Sequence, residues 1–178
     1  MQRRQPLPRL WLMTDERQGD DLWRALKRLP RGSGVVFRHY GLTKSERQRL
    51  FSTTKITTRA RHLLLLTGRQ KLREADGAHN ARRGVSASAH NLRELRAAER
   101  RGAAFVFLSP VFPTRSHPGA RTLGRVRFGL IAQQARIPVI ALGGVDARKG
   151  RSLRALGAYG WAGIDAWAPD QKRKAVPT

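Results

Sequence analysis

The chain has 178 residues, 40% of them hydrophobic, with 36 Lys and Arg against 12 Asp and Glu for a formal net charge of +24, and no cysteine. That length suits one domain with its own core, the apolar content argues against disorder, the lack of cysteine excludes disulfides and thiol chemistry, and no apolar run approaches the ~20 residues of a membrane span. The charge would attract phosphates or polyanions, yet the basic residues are spread over nearly every segment with no interleaved aromatics and no zinc, RRM-type or homeodomain pattern, so salt-sensitive, non-specific nucleic-acid binding is expected in place of a specific one.

In chain order, the start MQRRQPLPRLWLM has no long apolar region and no small-residue cleavage site, which points to no signal peptide and a cytoplasmic location. Residues 10–14 read as a strand. Asp20 and Asp21 then precede Leu22, Ala25, Leu26 and Leu29 at helical spacing. A strand over 35–40 is followed by Thr43-x-x-Glu46, a capping-box opening for the next helix. The run 62–67 is a third strand, and 77–79 is a short candidate. After a strand at 84–88, Asn91-x-x-Glu94 opens a helix with Leu92 and Leu95 on its apolar face. Strands at 105–108, 138–142 and 161–165 alternate with helices predicted over 128–135 and 151–156, the latter behind Asp146 as an N-cap candidate.

This alternation implies right-handed βαβ units and a parallel sheet. Eight strand candidates favour an α/β fold of the closed (β/α)8 TIM-barrel type, although 178 residues is short for one. Residues 79–84 leave no room for a helix after strand four, and 169–178 form a polar, basic tail where a last helix would stand, so a trimmed barrel over 1–168 is expected. Two strands end abruptly in small and polar residues, as barrel strands do when they deliver a functional loop: FLSPVFPTRSHPG (Phe107 to Gly119) and IPVIALGGVD (Ile137 to Asp146). In the second, Gly143 and Gly144 let bare backbone N–H groups approach an anion.

With VSASAHNLREL (Val85 to Leu95) and GAYGWAGIDAW (Gly157 to Trp167), these segments form four motifs in order, and the chain resembles the thiamine phosphate synthase/TenI family. ADGAHN (Ala75 to Asn80) and VFRHYG (Val36 to Gly41) add weaker likeness upstream. The resemblance implies a TIM barrel that joins an aminopyrimidine methyl diphosphate to a thiazole phosphate and releases diphosphate. It also leaves two alternatives, a TenI-like thiazole phosphate tautomerase or an inactive barrel that binds a phosphorylated thiamine precursor. By resemblance, Gly143 and Gly144 are the phosphate-binding turn, with Asp165 and Ala166 as its partner loop. Ser88 and His90 match the strand-five S-x-H, His90 being the acid/base of the tautomerase reading. Thr114 matches a diphosphate-contacting threonine, Ser109, Arg115 and His117 share its loop, and Arg38 matches the family arginine of strand two.

Departures from the family pattern shape the expected chemistry. Asp165 stands where Ser or Ala is usual, and a carboxylate there repels phosphate unless it points away. Val36 and Tyr40 replace the Gln and Lys that flank the family arginine. Strand three ends LLLLTG and the fourth segment reads DGAHNARR, without the carboxylates that hold Mg²⁺, so Mg²⁺ is expected only with a retained synthase activity and no metal ligand is assigned. Arg38, Arg82, Arg83 and Arg115 are candidates to neutralise diphosphate directly. The expected partner is a phosphorylated small molecule (thiazole phosphate, pyrimidine diphosphate), with no membrane association and a homodimer left open. Gly143, Gly144 and the backbone at 164–166 are expected to converge with Ser88, His90 and Thr114 on one anion site at the C-terminal rim.

Overall fold

Eight parallel strands close into a barrel in sequence order: β1 (Leu10–Met13), β2 (Gly34–Phe37), β3 (Leu64–Gly68), β4 (Gly77–His79), β5 (Ser86–Ala89), β6 (Phe105–Leu108), β7 (Val139–Ala141) and β8 (Gly160–Gly163). β1 closes the ring by pairing with both β2 and β8. Helices α1 (Asp21–Arg28), α2 (Lys44–Ala60), α3 (Leu92–Arg100), α4 (Gly124–Ala132) and α5 (Ala147–Arg154) pack outside. This computed structural model describes residues 6–69, 72–116 and 118–167. The basic tail expected at 169–178 and the candidate His117 lie outside them. The expected TIM barrel is present, and no helix among the described residues is long and apolar enough to cross a membrane.

Strand periodicity sorts the core. Alternate residues point inward, so Trp11, Met13, Val36, Leu66, Phe105, Phe107, Ile140 and Ala162 fill the barrel. Three of these form an aromatic knot, with Trp11 at 5.0 Å from Phe105 and 5.4 Å from Phe107, and the two phenyl rings 5.3 Å apart. Such pairs contribute about 0.5–1.5 kcal/mol each beyond area burial. Gly34, paired in register with Trp11, is required there, because any Cβ would overlap the indole. Outward residues build two separate shells: Leu12, Phe37 and Leu65 against α1 and α2, and Val106, Leu108 and Val139 against α3, α4 and α5.

The shells part at β4. The β4–β5 connection carries no helix, as its length requires, and neither does the β3–β4 connection among the described residues, a gap the sequence pattern did not disclose. Local signals placed the other helices well. Thr43 and Glu46 cap each other reciprocally at the start of α2. Asn91 accepts the Glu94 N–H at 2.9 Å, but the Glu94 carboxylate turns to the N–H of His90, at 2.9 Å. The helix predicted over 128–135 begins earlier, at Gly124, because Leu123 and Gly124 donate to the carbonyls of Pro110 and Val111. Val126 and Leu130 are 77% and 60% exposed, so no apolar phase marks that start. α5 likewise begins at Ala147, where the Asp146 carboxylate accepts the Lys149 N–H at 2.9 Å.

Candidate active site

The inward alternation continues past the strand ends. It carries Val36 on to Arg38, Ser86 to Ser88 and His90, and Phe107 to Ser109, so polar side chains follow apolar ones as the strands leave the core. The result is a cleft of about 830 Å³ at the C-terminal end of the barrel. Arg38, Ser88, His90, Ser109, Thr114, Arg115, Gly143, Gly144, Asp165 and Ala166 all line it. The convergence expected for Gly143, Gly144 and residues 164–166 with Ser88, His90 and Thr114 is therefore observed, whereas Arg82 and Arg83, offered as further cations for diphosphate, do not line this cleft because the short β4–β5 connection carries them away from it.

Gly143 and Gly144 have φ of +93° and +61°, in the left-handed region. They also lie against the loop after β6: a Cβ on Gly143 would come within 2.7 Å of Pro110 Cα, and one on Gly144 would overlap the Pro113 carbonyl. Packing thus demands glycine at both positions. The same packing turns their carbonyls away, Gly143 O accepting from Phe112 N–H and Gly144 O from Lys149 Nζ at 2.9 Å. Their own N–H groups have no acceptor among the described residues, which leaves two donors at the edge of the cleft.

Across this turn, Asp165 does not stand open. Arg115 grips it with Nε and Nη2, each 3.1 Å from a carboxylate oxygen. The 3-10 turn Asp165–Trp167 is itself anchored, with Trp167 stacked on Trp161 at 5.0 Å and its Nε1–H donating to Trp11 O at 3.1 Å. Asp165 therefore occupies Arg115, a cation of the β6 loop. Asp165→Asn, which frees Arg115 and removes a negative charge beside the glycine turn, is expected to tighten binding of inorganic phosphate about fivefold to tenfold. Calorimetric titration checks this, and equal or weaker binding would show that the pair serves only to hold the loop.

His90 donates from Nδ1 to the Ser109 carbonyl at 2.7 Å, since a carbonyl can only accept. With Nδ1 engaged as a donor, Nε2 is the ring nitrogen left to exchange a proton, and the backbone of His90 is pinned by Glu94. Ser88 is more tightly committed. Its Oγ lies 3.0 Å from Asn80 Nδ2 and 3.1 Å from His79 Nε2, and its N–H donates to Asn80 Oδ1. His79 Nδ1 meets Ser86 Oγ at 3.0 Å, completing a chain Ser86–His79–Ser88. Burial pushes the His79 pKa down to about 4, so the imidazole is neutral and each nitrogen has a partner of the right kind. Thr114 Oγ1 meets Ser116 Oγ at 2.9 Å within the β6 loop.

Arg38 is held by its own strand neighbour: Nε donates to Thr14 O at 2.8 Å and Nη2 to Asp15 at 3.1 Å. Burial lowers its pKa while Asp15 opposes that shift, and the guanidinium stays charged. Arg69, Asn80, Arg121 and Lys149 also line the cleft and were not singled out from the sequence. Arg69 and Asn80 each stand immediately after a strand, the position at which barrel enzymes carry function, so that offset was the usable signal. His39, Arg69 and Asn80, one or two residues after β2, β3 and β4, all have positive φ (25°, 62° and 54°). Non-glycine residues held this way cost about 1 kcal/mol or more each and concentrate at functional sites.

The Mg²⁺ implied by resemblance does not fit this donor set. Asp146 caps α5, Asp165 is gripped by Arg115, and Asp15 is shared by Arg17 and Arg38. Asp76, in the fourth strand segment, accepts the Leu65 N–H at 2.7 Å as a strand-to-strand tie. No group of three or more potential ligands among the described residues is arranged to hold a metal.

A model of the family described as thiamine monophosphate synthase matches residues 67–167. A protein of Aquifex aeolicus, provisionally named thiamine-phosphate synthase 2, is 34% identical, with 89% of this chain and 96% of that one aligned. The thiamine-phosphate synthase of Pyrococcus furiosus is 34% identical over a shorter segment, 46% of this chain and 40% of its own. Among solved structures, a thiamine phosphate pyrophosphorylase from Pyrococcus furiosus superposes with a TM-score of 0.76 at 25% identity, covering 94% of this chain and 91% of that one.

Proposed function

The chain belongs to the thiamine monophosphate synthase family, and from that premise we propose that its cleft is a transferase site that couples a pyrimidine methyl diphosphate to a thiazole phosphate and releases diphosphate. The observation that carries this reading is the convergence, on one rim, of the donor turn Gly143–Gly144 with the half-buried cation Arg38. The two lie three strands apart round the ring, at the ends of β7 and β2, which leaves room for two anionic substrates to meet over the barrel mouth.

The thiazole phosphate is bound by the N–H groups of Gly143 and Gly144, with Arg115 turning to it from Asp165. The diphosphate lies toward Arg38. As the bond to the departing diphosphate breaks and the new bond to the thiazole forms, negative charge grows on the leaving group, and a preorganised guanidinium stabilises it without reorganising. Ser88, fixed by Asn80 and His79, orients the pyrimidine from the floor of the cleft. No step is routed through a metal, since the carboxylates among the described residues do not assemble a site for one.

Formation of thiamine phosphate from both precursors is the test. Turnover is expected from the intact chain, and Arg38→Ala is expected to lower kcat about 10²-fold, the scale of a lost charge-stabilising donor. Absence of product with and without Mg²⁺ would overturn the reading. One observation favours the tautomerase as second reading: Nε2 of His90, which has no partner among the described residues and needs no metal to move a proton. On that reading His90→Asn lowers isomerisation of the thiazole phosphate 10²- to 10⁴-fold.

A further inference from the structure

We propose that the cleft recognises a diphosphate through a guanidinium cluster at the ends of β2 and β3, without a divalent metal; the identity of the ligand rests on the synthase reading above. The cluster surrounds Tyr40. The guanidinium of Arg69 lies 4.5 Å from the centre of that ring and the guanidinium of Arg47 lies 6.0 Å from it. Arg38, on the same strand end, is close enough to bias the phenol electrostatically. Arg38 and Arg69 line the cleft, while Arg47, on α2, does not and lies against the rings of both Phe37, at 5.6 Å, and Tyr40.

Charge at this corner is unbalanced. The acids facing it are Asp15, shared by Arg17 and Arg38, and Glu16, whose carboxylate accepts the Gly41 N–H. Arg69 has no carboxylate partner among the described residues. Arg47 carries two buried nitrogens, Nε and Nη2, with no acceptor among them. Buried donors of a fixed cation are normally satisfied, and Arg69 is in addition held at a φ of +62° that its backbone would not choose. Strain and an unpaired cation at the rim, with the buried charge of Arg47 adding to the positive potential from behind, are accounted for together by an anion in the cleft that carries several negative charges. A diphosphate, with roughly three at neutral pH, offers bidentate oxygen pairs to guanidinium forks. The carboxylates of the cleft are each engaged by an N–H or a cation, so the cations replace a metal instead of accompanying one.

Inorganic diphosphate titrated into the full chain, in EDTA and then in Mg²⁺, tests this. Saturable binding in EDTA is expected, with a Kd within threefold of that in Mg²⁺. Arg69→Ala is expected to weaken it tenfold or more, and Arg69→Lys, which keeps the charge but not the fork, by an intermediate factor. Arg151→Ala, an equal loss of charge on the exposed face of α5, is expected to change it less than twofold. Binding only in Mg²⁺, or equal losses for Arg69→Ala and Arg151→Ala, would overturn the proposal. The two readings fail separately: metal-free diphosphate binding without thiamine phosphate formation sinks the synthase and keeps this site, and Mg²⁺-dependent synthesis without binding in EDTA does the reverse.

Discussion

Gly144→Ala is expected to cost the protein about 2–4 kcal/mol and to abolish phosphate binding with it. The residue has a φ of +61°, and the new Cβ would overlap the Pro113 carbonyl oxygen and come within 2.9 Å of Phe112 Cβ. The carbonyl belongs to the backbone, which cannot rotate away as a side-chain tip can, so the loop after β6 must move bodily. Backbone strain and overpacking each contribute about 1–3 kcal/mol. Gly129→Ala gives the contrast. It lies within α4, where a Cβ would meet nothing nearer than 3.4 Å, and relief of glycine's chain entropy is expected to stabilise the protein by about 0.5–1 kcal/mol. Urea denaturation of both variants checks the pair. A loss below about 0.5 kcal/mol for Gly144→Ala would mean that the turn and the β6 loop are not locked together.

Acidification should expose the buried histidine. Burial lowers the His79 pKa to about 4 from the 6.5 it holds when solvated, so the unfolded chain binds a proton that the folded one refuses between those two values. The stability held by neutral His79 is complete above pH 6.5 and is lost as pH falls toward 4. Between pH 7 and 4.5 that amounts to about 2 kcal/mol. Burial shifts His39 in the same direction, adding to the slope. Denaturation midpoints measured across that range are expected to fall steadily for the native protein. They should fall distinctly less for His79→Gln, which keeps hydrogen-bonding groups in reach of Ser86 and Ser88 but takes up no proton. Equal slopes would place the acid sensitivity elsewhere, in the general repulsion of a strongly cationic chain.

The amino-acid sequence by itself determined the barrel. Runs such as FVFL and VIA are buried on both faces whatever their partners, the capping residues Thr43, Asn91 and Asp146 act within four residues of themselves, and Gly143–Gly144 demands its conformation locally. These are short-range effects, and short-range effects are legible in a string of residues. Because inward alternation runs on past each strand end, even the rim positions of Arg38, Ser88, His90 and Ser109 followed from the strands.

What pairs with what was decided only in three dimensions. Asp165 is gripped by Arg115 fifty positions away, which converts an apparent obstacle to phosphate into an exchangeable partner. The relay from Ser86 through His79 to Ser88 depends on the β4–β5 register, and the β3–β4 connection that leaves Arg69 at the rim, without a helix among its described residues, has no local signature. Arginines stand in nearly every segment of this chain, so composition could not distinguish the three around Tyr40 from the rest. Coulomb energy and desolvation depend on distance and burial, and both are set by the packing of strands whose sequence separation carries no trace of it.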